Sequence, residues 1–77
     1  MEIEIISFGK IAEFIANQQL AVDGVETTAH LKDFLEKEFP QLANIKYKLA
    51  LNKTIIQETT ELKSGDTVAL MPPFSGG

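Results

Sequence analysis

One stretch of this chain has the pattern of a full helix, and the rest has to be arranged around it. In "TTAHLKDFLEKEFP" (27–40), Leu31, Phe34, Leu35 and Phe39 recur at helical spacing and make one apolar stripe. Lys32, Asp33, Glu36 and Lys37 lie largely off that stripe, and Glu36 and Glu38 are expected in solvent. Thr27 or Thr28 offers a hydroxyl that caps the first turn by accepting from an otherwise free backbone N–H. Pro40 stops the helix, because proline disfavours the helical conformation in the residue before it. A single helix can cover one face of one sheet, so the remaining segments must supply that sheet.

They have the patterns to do so. "EIEIISF" (2–8) reads as a strand partly buried on both sides, with Ile3 and Ile5 on one face and Ile6 and Phe8 on the other. "KIAEFIAN" (10–17) carries Ile11, Phe14 and Ile15 at helical offsets and predicts one or two turns of helix. "QQLAVDG" (18–24) is a short strand ending in an Asp23–Gly24 turn. In "IKYKLALN" (45–52), Ile45, Tyr47, Leu49 and Leu51 alternate with Lys46, Lys48, Ala50 and Asn52, which predicts a strand. Asn52–Lys53 is a hairpin turn into "TIIQ" (54–57), "SGD" (64–66) is another turn, and "TVALM" (67–71) is the last strand. Pro72 ends it by withdrawing a ladder donor. The expected domain is α+β: a mixed sheet of four to five strands with one main helix on one face. Topology rules and analogy with ubiquitin make the compact solution a β-grasp roll, its first and last strands adjacent and parallel. Residues 1–71 would form the domain and 72–77 an extended tail. Apolar residues fall on both faces of the sheet, so a patch near the tail should stay exposed and serve as an interface.

Composition removes several classes of function. Seventy-seven residues make one small domain with a thin margin of stability. There is no cysteine, which excludes disulfides, thiolate zinc sites and a cysteine nucleophile, and fits a reducing compartment. The apolar content of 44% is that of a globular chain. No apolar run is long enough to span a membrane, and the start has no signal-peptide pattern, so a cytoplasmic protein without a membrane partner is expected. The net charge is −4, the seven basic residues are scattered lysines, and nucleic acid is not an expected partner. His30 is the only histidine and is expected as a surface or half-buried helix residue. With no second histidine, no metal site can be assembled around it. Glu58 and Glu61 flank a loop, Gly9, Gly24 and Gly65 read as turn residues, and Ser75 has no base near it in sequence. No catalytic set and no bound cofactor are expected within the chain.

What remains is the tail, "PPFSGG" (72–77). Ends of domains are often small and polar, and a glycine pair can be a slack end. Against that, Pro72 and Pro73 are stiff and project the chain away from the sheet, and side-chain bulk then falls away through Phe74 and Ser75 to Gly76 and Gly77. From Met71 to Gly77 an extended tail reaches roughly 20 Å. Such an end can thread a narrow tunnel and present a carboxylate in another protein's active site. With a pKa near ~3.5 that carboxylate is anionic and a poor electrophile until something activates it, as ATP-driven adenylation does.

The opening strand ending in Phe8, the Glu13 region, the helix stopped at Pro40, "LALN", the Gly65–Asp66 turn and "LKSGDTVALMPPFSGG" together resemble the small subunits of molybdopterin synthase, which are ubiquitin-like sulfur carriers. The likeness covers nearly the whole chain, and the Pro-Pro-x-Ser-Gly-Gly ending is its most specific part. Two positions depart from the family pattern: Ala12 stands where many relatives have arginine, and Phe74 where many have a small β-branched residue. The resemblance implies that an adenylating enzyme activates the Gly77 carboxylate with ATP and that a sulfur source converts it to a thiocarboxylate. The large subunit of molybdopterin synthase would then receive the tail and pass sulfur to cyclic pyranopterin monophosphate. Gly77 would be the reacting group and Gly76 the access residue. Pro72, Pro73, Phe74 and Ser75 would form the docking element, with the catalytic groups on the large subunit. Two alternatives stand beside it. One is a different ubiquitin-like carrier, for thiamine, tRNA thiolation or protein conjugation. The other is a β-grasp interaction module with an inert tail.

Overall fold

The computed structural model describes residues 1–72. The helix, α1 (Thr28–Glu38), forms where its stripe predicts it. Thr27 is the cap, its Oγ1 accepting from the His30 N–H at 3.2 Å. Thr28 is buried instead and ties the helix to the loop before the last strand: its N–H donates to the Thr60 carbonyl, and its hydroxyl accepts from the Thr60 N–H. The helix stops at Phe39, before Pro40.

Among the described residues, five strands make one sheet: β1 (Glu2–Ser7), β2 (Gln18–Ala21), β3 (Lys48–Leu51), β4 (Thr54–Ile55) and β5 (Thr67–Met71), in the spatial order β2-β1-β5-β3-β4. β1 and β5 are parallel and central, in the register Ile5 to Val68 and Ser7 to Leu70, and every other pairing is antiparallel. The predicted β-grasp arrangement is therefore present, with α1 on one face. Beneath the helix, Leu31 and Leu35 meet Ile3, Ile5, Val68 and Leu70 in a core closed by Ile11, Ile15, Val22, Leu42, Leu49 and Leu62. Phe34 and Phe39 pack against its margin, half-buried.

Several expected elements come out differently. Residues 10–17 form a 3₁₀ segment, Gly9–Glu13, and not an α-helix. It still buries Ile11, with Ile15 just beyond it. Pro40 ends one helix and starts another: Pro40–Asn44 is a 3₁₀ helix that sends Leu42 into the core. Proline at the first helical position loses no hydrogen bond, which the helix-stop expectation overlooked. Those residues shorten the next strand, so β3 begins at Lys48, and Ile45 and Tyr47 lie outside it. Ile45 caps the 3₁₀ helix and is exposed. Residues 54–57 give a strand of only Thr54–Ile55, while the predicted hairpin turn is present, with positive φ at both Asn52 and Lys53. Glu36 is not freely solvated: it accepts a hydrogen bond from the Tyr47 hydroxyl.

Candidate functional site

Strand parity divides the sheet into two surfaces. Ile3, Ile5 and Ser7 of β1 point toward the helix, so Glu4, Ile6 and Phe8 point away from it. On β5 the inward pair is Val68 and Leu70, and the outward set is Thr67, Ala69 and Met71. Ala50 on β3 and its partner Ile55 on β4 join the outward set. These residues line an open groove of about 620 Å³, with Glu4, Asn52, Lys53 and Thr67 along one margin. Phe8 and Ile55 keep 48% and 49% of their surface exposed. In a chain of this size, large apolar side chains gathered on one face mark an interface. The expected exposed patch is therefore present on the face that α1 leaves uncovered.

One margin of the groove is tightly tied. Asn52 accepts from the Thr67 N–H at 2.9 Å and donates through Nδ2 to Asp66 at 3.0 Å. Asp66 in turn accepts from the Lys63 N–H at 2.8 Å. These bonds tie the β3–β4 turn to the start of β5. The sequence marked this segment only as a turn; the side-chain network joins residues 14 and 15 positions apart.

At the other end the last strand runs out beside the first. Phe8 donates its N–H to the Leu70 carbonyl at 3.0 Å. The parallel ladder would next require an N–H from residue 72 to the Phe8 carbonyl, and proline has none. Pro72 therefore ends β5, as predicted, and it is exposed. Its ring sits over Gly9: a Cβ at Gly9 would lie 2.9 Å from Pro72 Cγ and 3.4 Å from its Cδ. Gly9 also has a φ of +61°, so both its backbone and its surroundings call for glycine. Sequence reasoning assigned Gly9 only to a turn, because its partner is more than sixty positions away. Of the tail residues singled out from sequence, Pro72 is thus fixed at the base. Pro73, Phe74, Ser75, Gly76 and Gly77 lie outside the described residues, as does most of the predicted 72–77 tail.

Elsewhere, Tyr47 packs at the margin of the core, beside α1. Lys32 Nζ stands 5.5 Å from its ring centroid, and its hydroxyl donates to Glu36. Burial, and then the bond to Glu36 and that residue's charge, push the Tyr47 pKa well above the usual phenol value. His30 is an exposed helix residue, its Nδ1 facing the Glu26 N–H at 3.5 Å. Among the described residues, no three metal-ligating side chains cluster, and no helix is long and apolar enough to cross a membrane.

Comparison with known proteins agrees with this geometry. The fold superposes on a protein in the complex of subunits 1 and 2 of molybdopterin-converting factor from Helicobacter pylori 26695, at 28% identity and a TM-score of 0.74, with all of both chains covered. It superposes on SAMP1 from Haloferax volcanii at 25% identity and a TM-score of 0.78, again over both whole chains. The HVO 2177 protein of Haloferax volcanii matches at 25% identity and a TM-score of 0.82, over all of this chain and 87% of the other. Residues 5–77 match the ThiS family. The chain belongs to the ThiS family and has the fold of its small, ubiquitin-like sulfur carriers.

Proposed function

We propose that this chain is the sulfur carrier of molybdenum-cofactor assembly, the small subunit of a molybdopterin synthase. The observation that carries the proposal is the junction at Pro72. A parallel-paired last strand ends there, held against β1 and beside an open apolar groove, and it leads into Pro-Pro-Phe-Ser-Gly-Gly. The whole-length likeness to a chain of the Helicobacter pylori subunit 1 and 2 complex supports a large-subunit partner.

In this account the Gly77 carboxylate attacks the α-phosphorus of ATP on an adenylating enzyme, and pyrophosphate leaves. A sulfur donor displaces AMP and leaves a thiocarboxylate. The tail then enters the large subunit, sulfur passes to cyclic pyranopterin monophosphate, and water restores the carboxylate. The acid and base groups belong to the partners. This chain contributes reach, a terminus free of side chains, and a docking face made of the groove and Phe74. The lack of cysteine suits the role, because no internal thiol can intercept the acyl-adenylate, and it suits the cytoplasm as the place of work.

The test is ATP–pyrophosphate exchange with the cognate adenylating enzyme, followed by mass spectrometry for sulfur replacing oxygen at the C-terminus. The parent chain should exchange and gain sulfur, and a chain lacking Gly77 should do neither. The thiolated parent, mixed with the large subunit and cyclic pyranopterin monophosphate, should yield the dithiolene. Thiolation without dithiolene formation would assign the chain to a different sulfur-transfer route, and equal thiolation of the Gly77 deletion would make the tail inert.

A further inference from the structure

We infer that Gly9 is a positioning residue for the chain end: by letting the Pro72 ring close against the end of β1, it sets the direction in which the chain continues past the sheet. The inference rests on the carrier role proposed above, but the contact behind it is a feature of the fold.

Three facts carry it. Among the described residues, the Pro72 ring supplies all three of the nearest atoms a Cβ at Gly9 would meet, the closest at 2.9 Å. A proline ring is joined to its own backbone at both ends, so it cannot swing aside as a long side chain would. The chain just before Pro72 is also pinned on both sides: Leu70 accepts from Phe8, and Met71 is in register with Lys48 of β3. A Cβ at Gly9 therefore presses on Pro72 itself, and a shift of that ring redirects the chain that follows it. Five residues beyond Pro72 span up to about 17 Å when extended, so a turn of ten degrees at the base moves the terminus by about 3 Å. A misplacement of ~1 Å can already cost a hundredfold in rate.

Gly9 has a built-in control. Gly24 also has a positive φ, +74°, yet among the described residues a Cβ there would meet nothing within 4 Å. Alanine at either site incurs backbone strain, and only alanine at Gly9 pushes on the tail.

The experiment has two readouts. The chain has no cysteine, so Ser75→Cys takes a single nitroxide label, and paramagnetic broadening of the backbone amides maps where the tail points. Unlabelled chains with Ser75 intact are assayed for kcat and KM with the adenylating enzyme. Gly9→Ala should change the broadening pattern and lower kcat at least tenfold while KM stays within twofold, because the groove is untouched. Gly24→Ala should lower the melting temperature and leave both readouts unchanged. Pro72→Ala, which removes the ring at an exposed strand end, should also change the pattern. The double variant should match Pro72→Ala alone, since without the ring the Cβ has nothing to push. A Gly9→Ala pattern identical to the parent's would overturn the inference, as would effects of Gly9→Ala and Pro72→Ala that simply add. If Gly9→Ala does not fold, Pro72→Ala decides: an unchanged pattern there rejects the positioning role. A parent chain that is never adenylated would sink the carrier proposal and leave the broadening result to judge the contact by itself.

Discussion

Along β5, Val68 and Leu70 are fully buried beneath α1, while Thr67, Ala69 and Met71, interleaved with them, line the open groove and keep part of their surface in water. β1 does the same, with Ile3 and Ile5 inside and Ile6 and Phe8 outside. The same backbone thus serves two purposes at alternate positions. The covered face holds the fold together, and the open face retains apolar surface that the fold does not use. In a 77-residue chain the covered face has little stability to spare, so side chains there answer to packing alone. Phe8 and Ile55 on the other face contribute little to packing, which fits a surface selected for docking.

The contrast breaks most visibly at adjacent residues. Leu70→Ala should destabilise the fold by about 2–5 kcal/mol, the usual cost of emptying a fully buried leucine site. Met71→Ala, next along the strand, should cost under about 1 kcal/mol, as expected for a half-exposed position. Urea unfolding of both variants measures the difference, and equal losses would mean that the two faces are not distinct. Binding should reverse the ranking. Phe8→Ala and Phe74→Ala should each weaken association with the large subunit by about 1–3 kcal/mol in titration calorimetry, with little change in melting temperature.

Two smaller effects sharpen the picture of the covered side. Ser7 is buried with its hydroxyl unpartnered among the described residues, although its N–H donates to Asn17 Oδ1 at 2.8 Å. Ser7→Ala removes an unsatisfied polar atom, so it should be neutral or stabilising by up to about 1 kcal/mol, read from the same urea curves. Tyr47 titrates higher in the folded chain than in the unfolded one. Below pH ~10 both states hold the proton and its contribution is complete; above that the unfolded state loses its proton first, so stability falls as pH rises. Tyr47→Phe should remove this alkaline loss, read from urea unfolding of both chains as pH is raised.

Much of this was legible in the sequence where the signal is local. The stripe Leu31–Phe34–Leu35–Phe39, the alternation in 2–8 and 67–71, and the Asn52–Lys53 turn each encode their element over a few residues. The surplus of apolar positions over what one helix can cover already implied an exposed face. Residues 45–47 fall outside the strand that the alternation of Ile45, Tyr47, Leu49 and Leu51 implies, because Pro40 and Leu42 build a 3₁₀ turn that only the tertiary core rewards. Gly9–Pro72 and Tyr47–Glu36 were invisible for the same reason: each is a contact between segments, and neither residue carries a local mark of its partner. The tail was legible as the motif Pro-Pro-Phe-Ser-Gly-Gly, and the structure adds how its base is held.

We propose that the body of the domain and its terminal glycine are separable, one for folding and the other for carrying sulfur. The most direct measurement is the intact mass of the protein purified from its own cells, with and without the sulfurating enzymes, for the parent chain and for the chain lacking Gly77. The parent should carry sulfur in place of a terminal oxygen only when those enzymes are present. The shortened chain should never do so, and both chains should melt at the same temperature. A shortened chain that carries the sulfur as fully as the parent, or a parent that never gains it, would contradict the proposal.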